Sequence, residues 1–362
     1  MSWGACQEVS CFSSEYMLIW ALQSRLTRMA AADFKPVEAV QAAAIARRYF
    51  LDDRSKKDIA EEFGLSRFRV ARILDRARET GLVHIEIRLP AAVDPDLSDR
   101  LRRAFGLHHA IVVITPEESA ALHRDHLGEI GASLLTEIVV EGDVLGISWG
   151  RTLNSMTAAL QSLARCTVVQ LTGAIGSGDV LQNSIEMVRR VAAVSGGPAY
   201  PIYAPLIVDT VEAAEAIRRQ PQVAEAIRLF DGITKAVVAI GSWEPPDSQL
   251  YDGVDPFERE RLRSQGVRAE VCSTLVADDG HVVPADLTVR SIAISGDQLR
   301  RIPEVIAVAG GRAKTAAIRA VLAGGFVTSL VTDATVATEL LSGVAPRADA
   351  RPARPPSPVT PP

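Results

Sequence analysis

The residues with the clearest chemical capacity in this sequence are small, hydroxylated and basic, and they gather in short loops. Gly146-Ile147-Ser148-Trp149-Gly150-Arg151-Thr152 ends an apolar run and precedes a helical pattern over 153–163. A helix N-terminus presents N–H groups without intrahelical partners at the positive end of the peptide dipole, so it attracts anions. Ser148 and Thr152 add hydroxyls and Arg151 adds a cation in the same turn. That set suits a phosphate group; an ordinary strand-to-helix turn would use the same Ser148 or Thr152 as a helix cap. Two more loops share this character: Gly173-Ala174-Ile175-Gly176-Ser177-Gly178-Asp179, and Ala309-Gly310-Gly311-Arg312-Ala313-Lys314. Gly173 and Gly176 offer close backbone approach, and Lys314 offers a point charge. Glu270 and Asp333 are candidate acceptors for sugar hydroxyls. The glycine loop lacks the G-x-G-x-x-G spacing of dinucleotide sites, so no nucleotide cofactor is expected and the anticipated ligand is a phosphorylated, hydroxyl-rich small molecule.

These loops need a scaffold that presents them together. Apolar strands are expected over 110–114, 144–148, 167–172, 236–241, 305–309 and 329–332, alternating with helices over 123–139, 153–163, 183–194, 314–322 and 334–341. Strands that are apolar throughout, separated by helices, predict a mostly parallel sheet covered on both faces, a doubly wound α/β domain. In such sheets ligands bind at the carboxyl ends of the strands, where all three loops fall.

The chain has 362 residues, 48% hydrophobic and 23% charged, with a net charge of −5, which fits two folded domains of an ordinary globular protein. The charge is uneven: residues 35–90 hold 12 Lys/Arg against 9 Asp/Glu, and residues 91–343 hold 22 against 31. Cys6, Cys11, Cys166 and Cys272 form no C-x-x-C pair, which indicates neither a zinc site nor a disulfide framework. With no apolar run long enough to span a bilayer and no basic signal-peptide start, the expected location is the cytoplasm, away from membranes.

The basic head has its own pattern. After a helical stretch from Val37, Ser55 opens a short helix carrying Lys56, Lys57, Ile59, Ala60 and Phe63, and Gly64 ends it; Ser66 opens a second helix that Gly81 stops. Small Ala60 permits close approach of the second helix, Gly64 permits a left-handed turn, and Val70 fills the space between, the signature of a helix-turn-helix. Val70, Ile73, Leu74 and Ala77 share one face, while Arg67, Phe68, Arg69, Arg72 and Arg76 lie elsewhere on the helix. Arg67, Arg69 and Arg72 are the expected DNA contacts, Phe68 a thymine-methyl contact, and Lys56, Lys57, Ser66 and Arg76 complete the phosphate-facing set. Residues 82–87 alternate like a strand, a winged-helix-like addition or a linker. Residues 1–34 are expected to be a poorly ordered extension, with Met29 as an alternative start, and residues 344–362, with seven Pro in the last 17, a disordered tail. The expected boundaries are thus 35–90 for the DNA-binding domain and 91–343 for the effector domain.

Several stretches, taken in order, resemble the SorC/DeoR-type family of sugar-binding bacterial transcriptional regulators over about residues 38–343. They are Asp58-Ile59-Ala60 through Leu65-Ser66-Arg67 to Gly81-Leu82-Val83; Gly146 to Thr152; Gln170-Leu171-Thr172-Gly173; Ala204-Pro205-Leu206; and Gly310-Gly311 to Lys314 with Leu330-Val331-Thr332-Asp333. The resemblance implies an N-terminal helix-turn-helix joined to an effector domain similar to sugar-phosphate isomerases and deaminases, double-stranded operator DNA and a phosphosugar as partners, and assembly as a homodimer or homotetramer. It also implies that Ser148, Gly150, Arg151 and Thr152 cradle the phosphate, Gly173 lines the pocket and Lys314 closes on the ligand. Glu270 falls where the family often carries an acidic pocket residue. Its neighbours Val267-Arg268-Ala269 depart from the family pattern, as does Ala174 in place of a second glycine. The alternative is a sugar-phosphate isomerase or deaminase with an accessory DNA-binding head, but no compact acid–base pair is legible in the sequence, and His108, His109, His123, His126 and His281 read as surface or core residues.

Overall fold

The computed structural model describes residues 34–84, 93–115, 119–175 and 184–342, and its contacts divide the chain into two compact units at Leu89/Pro90. The terminal extension before Phe34, the second half of the expected 82–87 strand, Gly176 with the rest of its loop, and the proline-rich tail lie outside the described residues.

Among the described residues the first unit contains three helices: α1 (Pro36–Phe50), α2 (Lys56–Phe63) and α3 (Arg67–Glu79). Local chemistry sets their ends. Ser55 Oγ accepts from Asp58 N–H and Ser66 Oγ from Arg69 N–H, each at 3.2 Å, so both helices of the turn begin on a side-chain cap. Between them Gly64 has φ of +64°, a conformation that a side chain disfavours. Ile45, Ala46, Ile59, Ala60, Val70 and Leu74 form one buried cluster, with Ile73 partly buried against it. Burial of the Ile, Val and Leu side chains contributes about 1.5–3 kcal/mol each, and Ala60 and Val70 occupy the places that their spacing predicts.

The second unit is built on a seven-stranded sheet. Its elements, in chain order, are α4 (Pro95–Phe105), β1 (His109–Val113), α5 (Ala120–Ile138), β2 (Val144–Ile147), α6 (Arg151–Ala159), β3 (Thr167–Gln170), α7 (Ser184–Ser195), β4 (Ala199–Tyr200), α8 (Val211–Arg218), α9 (Pro221–Arg228) and β5 (Lys235–Val238); the chain returns to the sheet at β10 (Glu304–Val308), α14 (Thr315–Ala323), β11 (Ser329–Asp333) and α15 (Ala334–Ser342). The strand order is β1-β11-β10-β5-β2-β3-β4, and every pairing in it is parallel. Alternate residues feed opposite faces. Ala236 and Val238 join the core beneath α4, α9, α14 and α15, whereas Val237 joins the core beneath α5, α6 and α7. Two-sided burial is why these strands read as unbroken apolar runs.

From β2 the chain steps one way to β3 and β4, then crosses to β5 on the other side of β2 and continues outward through β10 to β11, which lies beside β1 at the edge. The reversal lies between β2 and β5, and in open α/β sheets a crevice opens there at the carboxyl ends.

One part of the architecture departs from the sequence reading. The strand expected over 236–241 stops at Val238, and the chain leaves the parallel sheet to make a second, four-stranded antiparallel sheet from β6 (Gly241–Trp243), β7 (Pro246–Asp247), β8 (Ala269–Val271) and β9 (Thr274–Val276), in the order β7-β6-β8-β9. Helices α10 (Gln249–Gly253), α11 (Pro256–Ser264), α12 (Asp286–Arg290) and α13 (Gly296–Arg301) accompany it. Trp149, Trp243, Leu250, Leu262, Leu275 and Leu287 belong to its buried cluster. Strands of two or three residues are too short to show alternation, so periodicity could not reveal this sheet. Among the described residues no helix is long and apolar enough to cross a membrane.

Candidate functional site

A cavity of about 230 Å³ opens at the reversal point of the parallel sheet, between that sheet's carboxyl ends and the antiparallel sheet. Its walls come from the β2–α6 turn (Trp149, Gly150, Arg151, Thr152), the exit from β5 (Ala239, Ile240, Gly241), the segment Asp247-Ser248-Gln249, Glu270 on β8, the end of β10 (Val308, Gly310, Gly311), Lys314, and the first turn of α5 (Ala120, His123, Arg124). Sequence positions far apart meet because three parallel strands end side by side.

Helix α6 begins without a side-chain cap. Gly150 occupies the cap position and contributes no side-chain hydrogen bond; a Cβ there would lie 2.7 Å from the Ala239 side chain, so the turn hugs the neighbouring strand end. The capping role open to Ser148 and Thr152 is therefore not realised. The amides of the first turn of α6 are left to a ligand or to solvent, with Arg151 and Thr152 at the same wall.

Lys314 reaches the cavity from the turn preceding α14. Its Nζ donates to the Ile240 carbonyl at 3.0 Å and lies 3.6 Å from Asp247 Oδ2. Burial pulls its pKa below the usual lysine value, while the nearby Asp247 and Glu270 charges oppose that pull. Arg151 pairs with the other oxygen of Asp247. Glu270 is 4% exposed and is a wall residue of the cavity. Burial raises its carboxyl to about 7, against the opposing effects of a hydrogen bond from Ser248, the Lys314 charge and the Ser273 backbone N–H. Ser248 Oγ donates to Glu270 Oε1 at 2.9 Å. The turn that carries Ser273 is itself unusual: Cys272 and Ser273 both adopt positive φ, 48° and 66°, in the two-residue link between β8 and β9. Left-handed conformations at non-glycine residues cost about 1–3 kcal/mol each and tend to occur at functional sites.

The remaining anticipated residues fall elsewhere. Ser148 lies behind the wall, 2% exposed, with its N–H on the Val237 carbonyl and its hydroxyl hydrogen-bonded to Cys272, whose thiol burial pushes up to about 12. Gly173 donates its N–H to Ile292 and is not among the cavity residues. Asp333 is committed to structure. One oxygen accepts from Gly311 N–H at 2.6 Å and lies 3.2 Å from His123 Nε2; the other accepts from Val336 N–H at 2.9 Å. Burial alone would raise the Asp333 pKa, but these hydrogen bonds outweigh it and hold the carboxyl below its usual value.

Sequence reasoning missed His123, Arg124, Asp247, Ser248 and Gln249 as wall residues. His123 is neither plain surface nor core: its ring bridges the cavity to Asp333. Together with Glu270 it also supplies acid–base groups to one cavity, which the sequence did not reveal. No local motif marks these positions, since each arrives through a long-range packing contact.

In the first unit, α3 buries Val70, Leu74 and Ala77 and exposes Arg67, Phe68, Arg69, Arg72 and Arg76. Phe68 is 71% exposed, with the Arg67 guanidinium 5.4 Å from its ring centroid. Arg76 stacks 4.4 Å from the Phe34 ring and Lys56 lies 5.4 Å from that of Tyr49. Lys56, Lys57 and Ser66, at the starts of α2 and α3, are exposed too. An exposed helix rich in arginine, held by a preceding helix, has the dimensions and charge to enter a major groove.

Comparison with known proteins places these features in a wider group. Residues 90–342 match the family described as "Putative sugar-binding domain". The chain is 30% identical over 302 residues to the uncharacterized transcriptional regulator YjhU of Escherichia coli K12, covering 81% of this chain and 92% of that one. It is 28% identical over 303 residues to the deoxyribonucleoside regulator of Bacillus subtilis, covering 82% and 96% respectively. Among solved structures, the full-length sorbitol operon regulator of Klebsiella pneumoniae superposes with a TM-score of 0.65 at 24% identity, covering 84% of this chain and 99% of that one, a likeness of fold.

Proposed function

Because the chain belongs to the family of sugar-binding transcriptional regulators, we propose that its cavity receives a phosphorylated sugar and that occupancy changes the affinity of the arginine-bearing helix α3 for an operator. The observation that carries this reading is the uncapped start of α6, which itself carries Arg151 and Thr152, lining one cavity together with Lys314. Amides at a helix start, a hydroxyl from Thr152 and two cations suit a phosphate; Glu270, Ser248 and His123 suit sugar hydroxyls. At about 230 Å³ the cavity is smaller than the roughly 300–1,000 Å³ of drug-sized sites, which favours a compact ligand.

The gating follows from linkage: a ligand that binds DNA-competent and DNA-incompetent arrangements unequally shifts operator occupancy by that difference. One helix-turn-helix reads only a short half-site, so the working form is a homodimer or homotetramer on a two-fold operator. His123 and Glu270 on one cavity keep the isomerase reading in play, and product formation from a panel of sugar phosphates would decide for it.

The direct test is a thermal-shift screen of phosphorylated against free sugars. An effector at 100 times its Kd stabilises the folded chain by about 2.7 kcal/mol. In a variant carrying Arg151→Ala and Thr152→Ala that stabilisation should vanish while the melt stays cooperative. An unchanged response would refute the phosphate-loop assignment.

A further inference from the structure

Arg151 and Lys314 already share an anion of the protein's own. Arg151 NH2 pairs with Asp247 Oδ1, and Lys314 Nζ lies 3.6 Å from Asp247 Oδ2. Asp247 lines the cavity and keeps 36% of its side chain exposed. Its backbone is set by the β6–β7 pairing, Ser242 opposite Asp247 and Trp243 opposite Pro246, so the carboxylate is delivered by a short hairpin at the cavity rim. The next residue, Ser248, donates to Glu270 at 2.9 Å and caps α10 through Tyr251 N–H. A single dipeptide therefore engages both the cationic end of the cavity and its acidic end.

We infer that Asp247 is a built-in competitor for the anionic group of the ligand, which must displace this carboxylate from Arg151 and Lys314 in order to bind. The inference rests on the anion-site reading above and adds a reason for its selectivity. A neutral sugar has nothing to offer the two cations in exchange for a carboxylate, and a monoanion merely replaces one unit of charge with another. A phosphate dianion brings twice the charge, so it alone gains Coulomb energy in the exchange. Displacement also frees the β6–β7 hairpin from its hold on the cavity wall, a local change that ligand binding would impose and neutral compounds would not.

The test uses the full chain and inorganic phosphate as the probe, at pH 7.5 and fixed ionic strength, with Kd read by calorimetry. Asp247→Asn keeps the shape and removes the competing charge, so phosphate should bind about tenfold tighter or more than to wild type; binding detectable in that variant alone is the extreme form of the same result. Asp247→Ser, a second neutral replacement at this partly exposed position, should tighten phosphate as well, whereas Asp247→Glu should remain within about threefold of wild type. A purely structural role for Asp247 predicts no gain in affinity. Arg151-dependent phosphate binding that is unchanged or weakened in both neutral variants would overturn the inference and leave the anion site standing. Absence of phosphate binding in wild type and in both neutral variants would overturn the anion site, and the inference with it.

Discussion

Glu270→Gln isolates the electrostatic cost of the cavity's acidic end. Glu270 is 4% exposed and burial lifts its pKa from 4.5 to about 7. Between those values the folded chain holds a proton that the unfolded chain has released, so stability falls as pH rises through the window and stays low above it. At about 1.4 kcal/mol per pH unit, the total is about 3 kcal/mol for a group of this burial. Glutamine matches the shape, can still bond Ser248, and carries no charge at any pH. The variant should therefore melt close to wild type near pH 5 and progressively above it towards pH 8.5, where most of the 3 kcal/mol appears as an increase of about 6–12 °C in Tm for a unit of this size. Tryptophan fluorescence is a suitable probe, since Trp149 and Trp243 lie buried in the cluster beside β8. A Tm difference that is constant from pH 5 to 8.5, or one that favours wild type at pH 8.5, would refute the assignment of Glu270 as a buried, charge-averse group.

Two other substitutions probe separate parts of the chain. Arg72→Ala removes an exposed guanidinium from α3 and should cost specific operator binding about 1–3 kcal/mol in gel-shift titrations, while stabilisation by a sugar phosphate persists; equal loss of both would contradict the division of labour between the two units. Asp333→Asn weakens the acceptor of Gly311, Val336 and His123 and should destabilise the chain by about 1–3 kcal/mol at pH 7. Because the Asp333 pKa is held below its usual value of 3.8 in the fold, that difference should persist down to about pH 4 and shrink below it as wild type loses its charge, measured by denaturant midpoints at pH 7 and about pH 2.5.

How much of this was legible in the sequence depends on the range of the interactions involved. The helix-turn-helix is written in contacts of three to ten residues: Ser55 and Ser66 as caps, Gly64 as the left-handed stop, and Ala60 and Val70 as the interlocking pair. Six of the seven strands of the parallel sheet were legible because two-sided burial leaves an apolar run, the two-residue β4 being the exception, and the turn from Gly146 to Thr152 because a strand end and a helix start are both local signals. The antiparallel sheet was not, since β6 to β9 are too short for any period.

The sequence by itself determined the helix-turn-helix and most of the parallel sheet with its flanking helices, which helix carries exposed arginines, and which loops are rich in small, hydroxylated and basic residues; each rests on neighbours within one or two turns of chain. Tertiary structure alone decided what those loops face. It left Ser148 and Gly173 out of the cavity lining while bringing Trp149, Gly150, Arg151, Thr152, Glu270 and Lys314 onto it, gave Asp333 to the backbone of Gly311 and Val336, and drew in His123, Asp247 and Ser248. The physical reason is that burial and pairing belong to the space between strand ends: Arg151 meets Asp247 across 96 positions of chain, and only the strand order, in which β2, β5 and β10 end side by side, brings them within reach.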